Sequence, residues 1–165
     1  MSSSCAWLPP IMPYSGITAE LDDYLETLYT QFKQDFIYTY PTFNGHRVTV
    51  RAYPKEEDKE QAFFHLTTEG VDNRNRTYDF SRCERIAWPK PIIEHAHELR
   101  VWEGTRQTKA RLSPRVYIAT PSFDYLVTLE PKENGTYTLI TAFYIQYKHS
   151  REKKEAEYIK SRGRT

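Results

Sequence analysis

The sequence predicts an α+β domain in which an N-terminal helix packs on a small antiparallel β-sheet, with a short inserted helix and a basic C-terminal tail. Three observations predict it. Apolar residues recur at helical spacing in residues 18 to 37, the pattern switches to period two after Pro41, and the last third reads as strands joined by a hairpin signal. At 165 residues and 19.6 kDa the length fits one domain with short tails: an irregular lead-in over 1–17, the domain over 18–150, and a basic helix or tail over 151–165.

The lead-in carries Pro9, Pro10 and Pro13. Thr18 is the expected N-cap, with Glu20, Asp22 and Asp23 in a first turn where the helix dipole favours carboxylates. Leu21, Leu25, Leu28, Phe32 and Phe36, flanked by Tyr24 and Tyr29, form an aromatic-rich stripe that reads as core. Val48 and Val50 alternate with Thr49 and Arg51 in a strand that ends at Pro54. The run Ala62 to Thr68 reads as a short apolar strand, which by alternation sets His65 and Thr67 on one face. A polar loop follows. Pro91 suits the first turn of a short helix with Ile92, Ile93, Ala96 and Leu99 inward. Val116–Ala119, Phe123–Leu129 and Tyr137–Tyr147 read as strands, the last two joined at Asn134-Gly135. That makes about five strands, the later ones antiparallel. From Lys148 the charge is dense and mostly basic.

The net charge of +1 is a cancellation. Residues 1–70 carry net −5 and 116–147 net −2, whereas 71–115 and 148–165 each carry net +4. If the two basic segments meet, they make an anion-binding face; otherwise they are solvated surface. The middle one interleaves Arg74, Arg76, Arg82, Arg85, Arg106, Lys109 and Arg111 with Tyr78, Trp88 and Trp102. Arginine with aromatics suits phosphates and bases. Arg82, Trp88, Arg106, Lys109, Arg111 and, in the tail, Lys153 are therefore candidate RNA contacts.

No apolar run is long enough to cross a bilayer, and the start lacks the basic and apolar regions of a signal peptide, so a cytoplasmic location and no membrane partner are expected. Cys5 and Cys83 offer neither CxxC nor a disulfide ladder. His95 and His97, in Glu94-His95-Ala96-His97-Glu98, diverge by about 200° on a helix and would not chelate one ion. HExxH, Walker A and GxGxxG patterns do not occur, so no metal and no cofactor are expected.

His65, in an apolar setting, is either a hydrogen-bonded core residue or a general acid or base. Arg85 and Trp88 would align on one helical turn, as a stem packed on a ring or as a phosphate clamp. On the last strand Thr141 falls in line with Leu139 and Phe143, and Tyr144 with Ile140 and Ala142, so the two face opposite sides.

Asp23-Tyr24-Leu25 through Asp35-Phe36-Ile37, Phe64-His65-Leu66, Arg82-Cys83-Glu84-Arg85-Ile86-x-Trp88-Pro89-x-Pro91, Phe123-x-Tyr125-Leu126-Val127 and Thr141-Ala142-Phe143 together resemble phage- and prophage-associated proteins of the barnase, EndoU, colicin and RelE-like nuclease superfamily. The resemblance spans about residues 20–160. It implies a helix on an antiparallel sheet and metal-independent RNA cleavage in which a 2′-hydroxyl attacks the adjacent phosphate. It further implies His65 as acid or base, Arg85 as phosphate ligand and Thr141 as a hydrogen-bonding site residue. Phe143 stands where similar proteins often have Tyr, which displaces that role to Tyr144 or removes it. A toxin-type RNase, with RNA and an inhibitor or antitoxin protein as partners, is the leading expectation; a non-catalytic RNA- or protein-binding module of the same fold and a phage-related interaction protein are its rivals.

Overall fold

The computed structural model describes residues 5–14, 20–70 and 75–163. Thr18 and Arg74 lie outside them. Helix α1 spans Leu21–Lys33 and runs on into a π-helical turn, Gln34–Tyr38. Tyr24, Leu25, Leu28 and Phe32 bury one side, and Asp22 and Asp23 occupy the first turn as the dipole favours. The lead-in is tied to it, because the Tyr24 hydroxyl donates to the Met12 carbonyl (2.8 Å) and Trp88 Nε1 to the Pro9 carbonyl (2.9 Å).

Strands β1 (Thr42–Phe43) and β2 (His46–Val50) form a tight hairpin. Contrary to the strand expected from the sequence, residues 61–67 form a helix, α2 (Gln61–Thr67), and only Thr68–Glu69 are extended, as β3. Ala62, Phe63 and Leu66 bury together, the one- and three-residue spacing of a helix face, and Phe63 packs edge-on against Phe32 and Tyr29. The first amides of α2 donate to the Arg51 and Ala52 carbonyls (2.9 and 3.1 Å), which replaces a side-chain cap. His65 and Thr67 therefore do not share a face by strand alternation.

β3 pairs with β4 (Thr77–Tyr78). Helix α3 (Phe80–Cys83) is capped by Asp79, whose Oδ1 accepts from the Ser81 and Arg82 amides. Helix α4 (Pro89–Glu94) has a proline at its start and buries Ile92 and Ile93; Ala96 and Leu99 follow inward through a 3₁₀ turn, Ala96–Glu98.

Four longer strands complete the sheet: β5 (Arg100–Gln107), β6 (Leu112–Ala119), β7 (Tyr125–Pro131) and β8 (Tyr137–Tyr144). The order is β1-β2-β8-β7-β6-β5, so the chain is α+β with a six-stranded sheet and a separate two-stranded ribbon. Two features differ from the sequence reading. β5 was not anticipated, since its alternation of Arg100, Trp102, Gly104 and Arg106 is masked by charge. β2 pairs with β8 in parallel, so the sheet is mixed.

A bulge between Thr128 and Leu129 decides which side chains of β8 face where. Thr128 pairs with Thr141 but Leu129 with Leu139, leaving Ile140 as the extra residue. As a result Leu139 buries with Ala142 in the larger core and Tyr144 packs against it, whereas Thr141 and Phe143 face the other side of the sheet. The expected alignments of Thr141 with Leu139 and of Tyr144 with Ile140 do not hold.

The larger core joins the inner faces of α1, α2 and α4 to Ile118, Val127 and Leu129 of the sheet. The opposite sheet face carries a smaller core of Trp102, Ala119, Phe123, Leu126 and Ile145. Helix α5 (Lys148–Arg162) covers it through Tyr158, whose ring lies 5.8 Å from both Trp102 and Phe123. Trp102 is 5 % exposed and is a core residue, not a ligand-facing one. Among the described residues, no helix is long and apolar enough to cross a membrane.

Candidate functional site

Beside that smaller core, the same sheet face is open. It forms a cleft of ≈ 560 Å³. Ladder register orders this face: Arg106 lies opposite Ser113 and Gly104 opposite Arg115 at the cleft, whereas Trp102 opposite Tyr117 belongs to the adjoining smaller core, and Thr128 stands between Tyr117 and Thr141. A Cβ on Gly104 would meet Tyr117 Cε2 at 3.0 Å, so any side chain there would displace the Tyr117 ring. α2 and α3 close one side with His65 and Arg82, and Arg51 and Arg76 complete the rim.

The electrostatics are one-sided. Among the described residues, six arginines line the cleft against one carboxylate, Glu130. Arg76 is clamped to neutral acceptors: Nη2 donates to the Thr68 carbonyl (2.7 Å), Nη1 to the Gly70 carbonyl (3.1 Å) and Nε to Thr68 Oγ1 (2.8 Å). Gly70 makes room, since a Cβ would sit 3.0 Å from Arg76 Cγ. Arg82 Nη1 shares the Thr68 carbonyl (2.8 Å) and reaches the His65 carbonyl (3.2 Å), while its guanidinium lies over the Phe143 ring at 5.1 Å. Burial first, then repulsion from Arg82, holds Arg76 below the ordinary arginine value. Asp79 is the carboxylate nearest this pair, 3.4 Å from Arg82 Nε. Arg51 and Arg106 find no acceptor among the described residues. Two guanidiniums fixed side by side by backbone carbonyls are preorganised for an anion.

Across the floor, Arg115 Nη1 donates to Glu130 Oε2 (3.0 Å) and Lys132 Nζ to Oε1 (2.6 Å); Arg111 Nη2 stands 3.7 Å from Oε2. The bond from Lys132, aided by Arg115, holds the buried Glu130 carboxyl below the usual carboxylate range against the effect of burial.

His65, Thr141, Arg82, Arg106 and Arg111 thus meet in one cleft, brought from five elements or their connections. Arg85 and Tyr144 are together but elsewhere. The Arg85 guanidinium lies 4.0 Å from the Tyr144 ring and 5.2 Å from Trp88, its Nη1 donates to the Ser81 carbonyl (2.9 Å), and the Tyr144 hydroxyl accepts from Arg151 (3.1 Å). Arg85 and Trp88 meet in the turns between α3 and α4, not on a helix, and both pack beside the larger core. Trp88 stacks edge-on against the fully buried Tyr125. Lys109, in the β5–β6 turn, and Lys153, on α5, are exposed outside the cleft lining. Arg51, Arg76, Arg115 and Glu130 line the cleft but are not among the candidate site residues of the sequence. The signal for the last two is an inward-facing charge of each sign near the facing ends of neighbouring strands.

No three His, Cys, Asp or Glu side chains converge on a metal-sized site among the described residues. His95 stacks on Trp7 at 3.9 Å, and its Nδ1 lies 2.8 Å from the Pro91 carbonyl. Cys5 and Cys83 are both buried and are not joined to each other in a disulfide.

No protein-family description, no curated protein and no solved structure matches this chain.

Proposed function

We propose that the cleft binds RNA and cleaves it without a metal, the 2′-hydroxyl attacking the adjacent phosphate and expelling the 5′ oxygen. The observation that carries the reading is the lining: among the described residues, six arginines and His65 against a single carboxylate, on an open sheet face. In it a phosphodiester lies between Arg82 and the arginines of β5 and β6, whose charge offsets the charge that develops on the nonbridging oxygens in the transition state. His65 removes the 2′-hydroxyl proton or supplies one to the leaving 5′ oxygen, roles an imidazole performs near neutral pH. Thr141 offers a hydroxyl to a phosphate oxygen. Arg82 takes the phosphate-ligand role given above to Arg85, because its Nη1 bonds the His65 carbonyl and it lines the cleft. The reading is of the barnase, EndoU, colicin and RelE-like type, with the N-terminal helix supporting the sheet from behind. It places the protein in the cytoplasm, held in check by an acidic inhibitor protein that covers the cationic cleft.

One observation favours a second reading, an RNA-binding module without turnover. Among the described cleft residues His65 is the sole imidazole, and Glu130 is committed to Arg115 and Lys132. Incubation of the purified protein with total RNA in EDTA separates the two. Cleavage lost in His65→Ala supports the nuclease; salt-dependent binding without cleavage, unaffected by that substitution, supports the module.

A further inference from the structure

We infer, on the reading that the cleft takes RNA, that Glu130 is an internal stand-in for a ligand phosphate and that Arg111, Arg115 and Lys132 around it form a second phosphate subsite. The ligand is then an oligonucleotide that presents at least two phosphates at once, one to Arg76 and Arg82 beside His65 and one to this cluster.

Three features of the cluster support this. First, three cations surround one carboxylate: Lys132 at 2.6 Å, Arg115 at 3.0 Å and Arg111 at 3.7 Å. The excess of two positive charges persists after the ion pairs form. Second, the donors are only partly used. Arg115 spends Nη1 on Glu130 and on the Pro114 carbonyl, and its Nε and Nη2 have no acceptor among the described residues. The Arg111 side chain is 67 % exposed and holds the carboxylate at long range, so it can turn to a ligand. Third, Glu130 lines the same cleft as His65 and Arg82, whereas a carboxylate meant only to rivet β6 to β7 needs no place on a ligand-facing wall.

A carboxylate and a phosphodiester present the same monoanionic oxygen pair to a guanidinium fork. Glu130 keeps Arg115 extended and oriented while the cleft is empty, and it weakens the pull of the cluster on an incoming phosphate. Binding strength is thus traded for a site already in shape.

The test measures binding apart from cleavage, with a fluorescent 2′-O-methyl oligonucleotide of several residues that has no attacking hydroxyl, across a salt series. Glu130→Gln keeps the shape and removes the charge. It is expected to tighten binding about tenfold at low salt and to steepen the log–log salt slope by about 0.7, the increment for one more single-strand phosphate contact. Arg111→Gln, at an exposed side chain, is expected to weaken binding and to flatten the slope by about the same 0.7. Unaltered affinity and slope in Arg111→Gln, or in folded Glu130→Gln, overturn the subsite; Arg111→Gln decides alone if Glu130→Gln does not fold. Wild-type protein that fails to bind the probe at any salt overturns instead the RNA reading on which the subsite rests.

Discussion

Replacing Arg51 and Arg106 together by glutamine removes two of the six cleft guanidiniums without touching a protein contact. Neither side chain makes a hydrogen bond or ion pair to a described residue and both residues are exposed, so stability should change by less than about 0.5 kcal/mol. The effect on binding is calculable. With Glu130 offsetting one charge, the cleft presents about five, and a single-stranded ligand that engages all of them has a log–log salt slope of about −3.5. A fourfold rise in salt then weakens wild-type binding about 100-fold, but that of the double variant, with a slope of about −2.1, only about 20-fold. Fluorescence anisotropy of a 2′-O-methyl oligonucleotide across the salt series reads both slopes. A wild-type slope near zero, or a double variant with the wild-type slope, would refute the assignment of the cleft as the anion site.

Helix α1 was legible because its apolar stripe persists for four turns, long enough for the 3.6-residue period to stand out. α2 was not. Ala62-Phe63-Phe64-His65-Leu66 is too short to distinguish a helix from a buried strand, and its β-branched end, Thr67-Thr68, favours the wrong choice. The bulge at Ile140 is invisible locally, because it arises from pairing with β7, and it alone exchanges the partners of Thr141 and Tyr144. Among site residues, His65, Arg82, Arg106, Arg111 and Thr141 could be nominated by type. That they meet, and that Arg85 turns instead toward Tyr144, depends on contacts between elements distant in sequence. Trp102 shows the limit of composition: basic neighbours suggested a ligand, but strand alternation in β5 directs it under α5.

Further outcomes follow from the packing. Trp102→Ala should cost about 3–5 kcal/mol in denaturant unfolding and increase hydrogen exchange in α5, because the indole is the floor on which Tyr158 rests. A smaller loss with α5 protection intact would show that the helix is held otherwise. Burial raises the Asp35 carboxyl above its ordinary value despite hydrogen bonds from Gln31 and the charge of Lys90. A carboxyl whose folded pKa exceeds its unfolded one opposes folding above the folded value, and the penalty vanishes as pH falls below the unfolded value, near about 3.9. Asp35→Asn should therefore raise Tm at neutral pH and lose that advantage in acid; lower stability at neutral pH would contradict the sign. Burial likewise pushes the Cys83 thiol up to about 12, so in the folded protein it should resist iodoacetamide and react only on unfolding. Rapid native alkylation of Cys83 would show that it is not in the core.

The most direct test of the central claim is the appearance of 2′,3′-cyclic phosphate ends when the purified protein meets RNA in EDTA, scored for wild type, His65→Ala and Arg82→Ala side by side. Such ends are expected with wild type, with their loss in both variants and retained salt-dependent binding of the 2′-O-methyl probe by His65→Ala. Wild-type protein that leaves RNA intact, or cleavage undiminished in both variants, would contradict that claim.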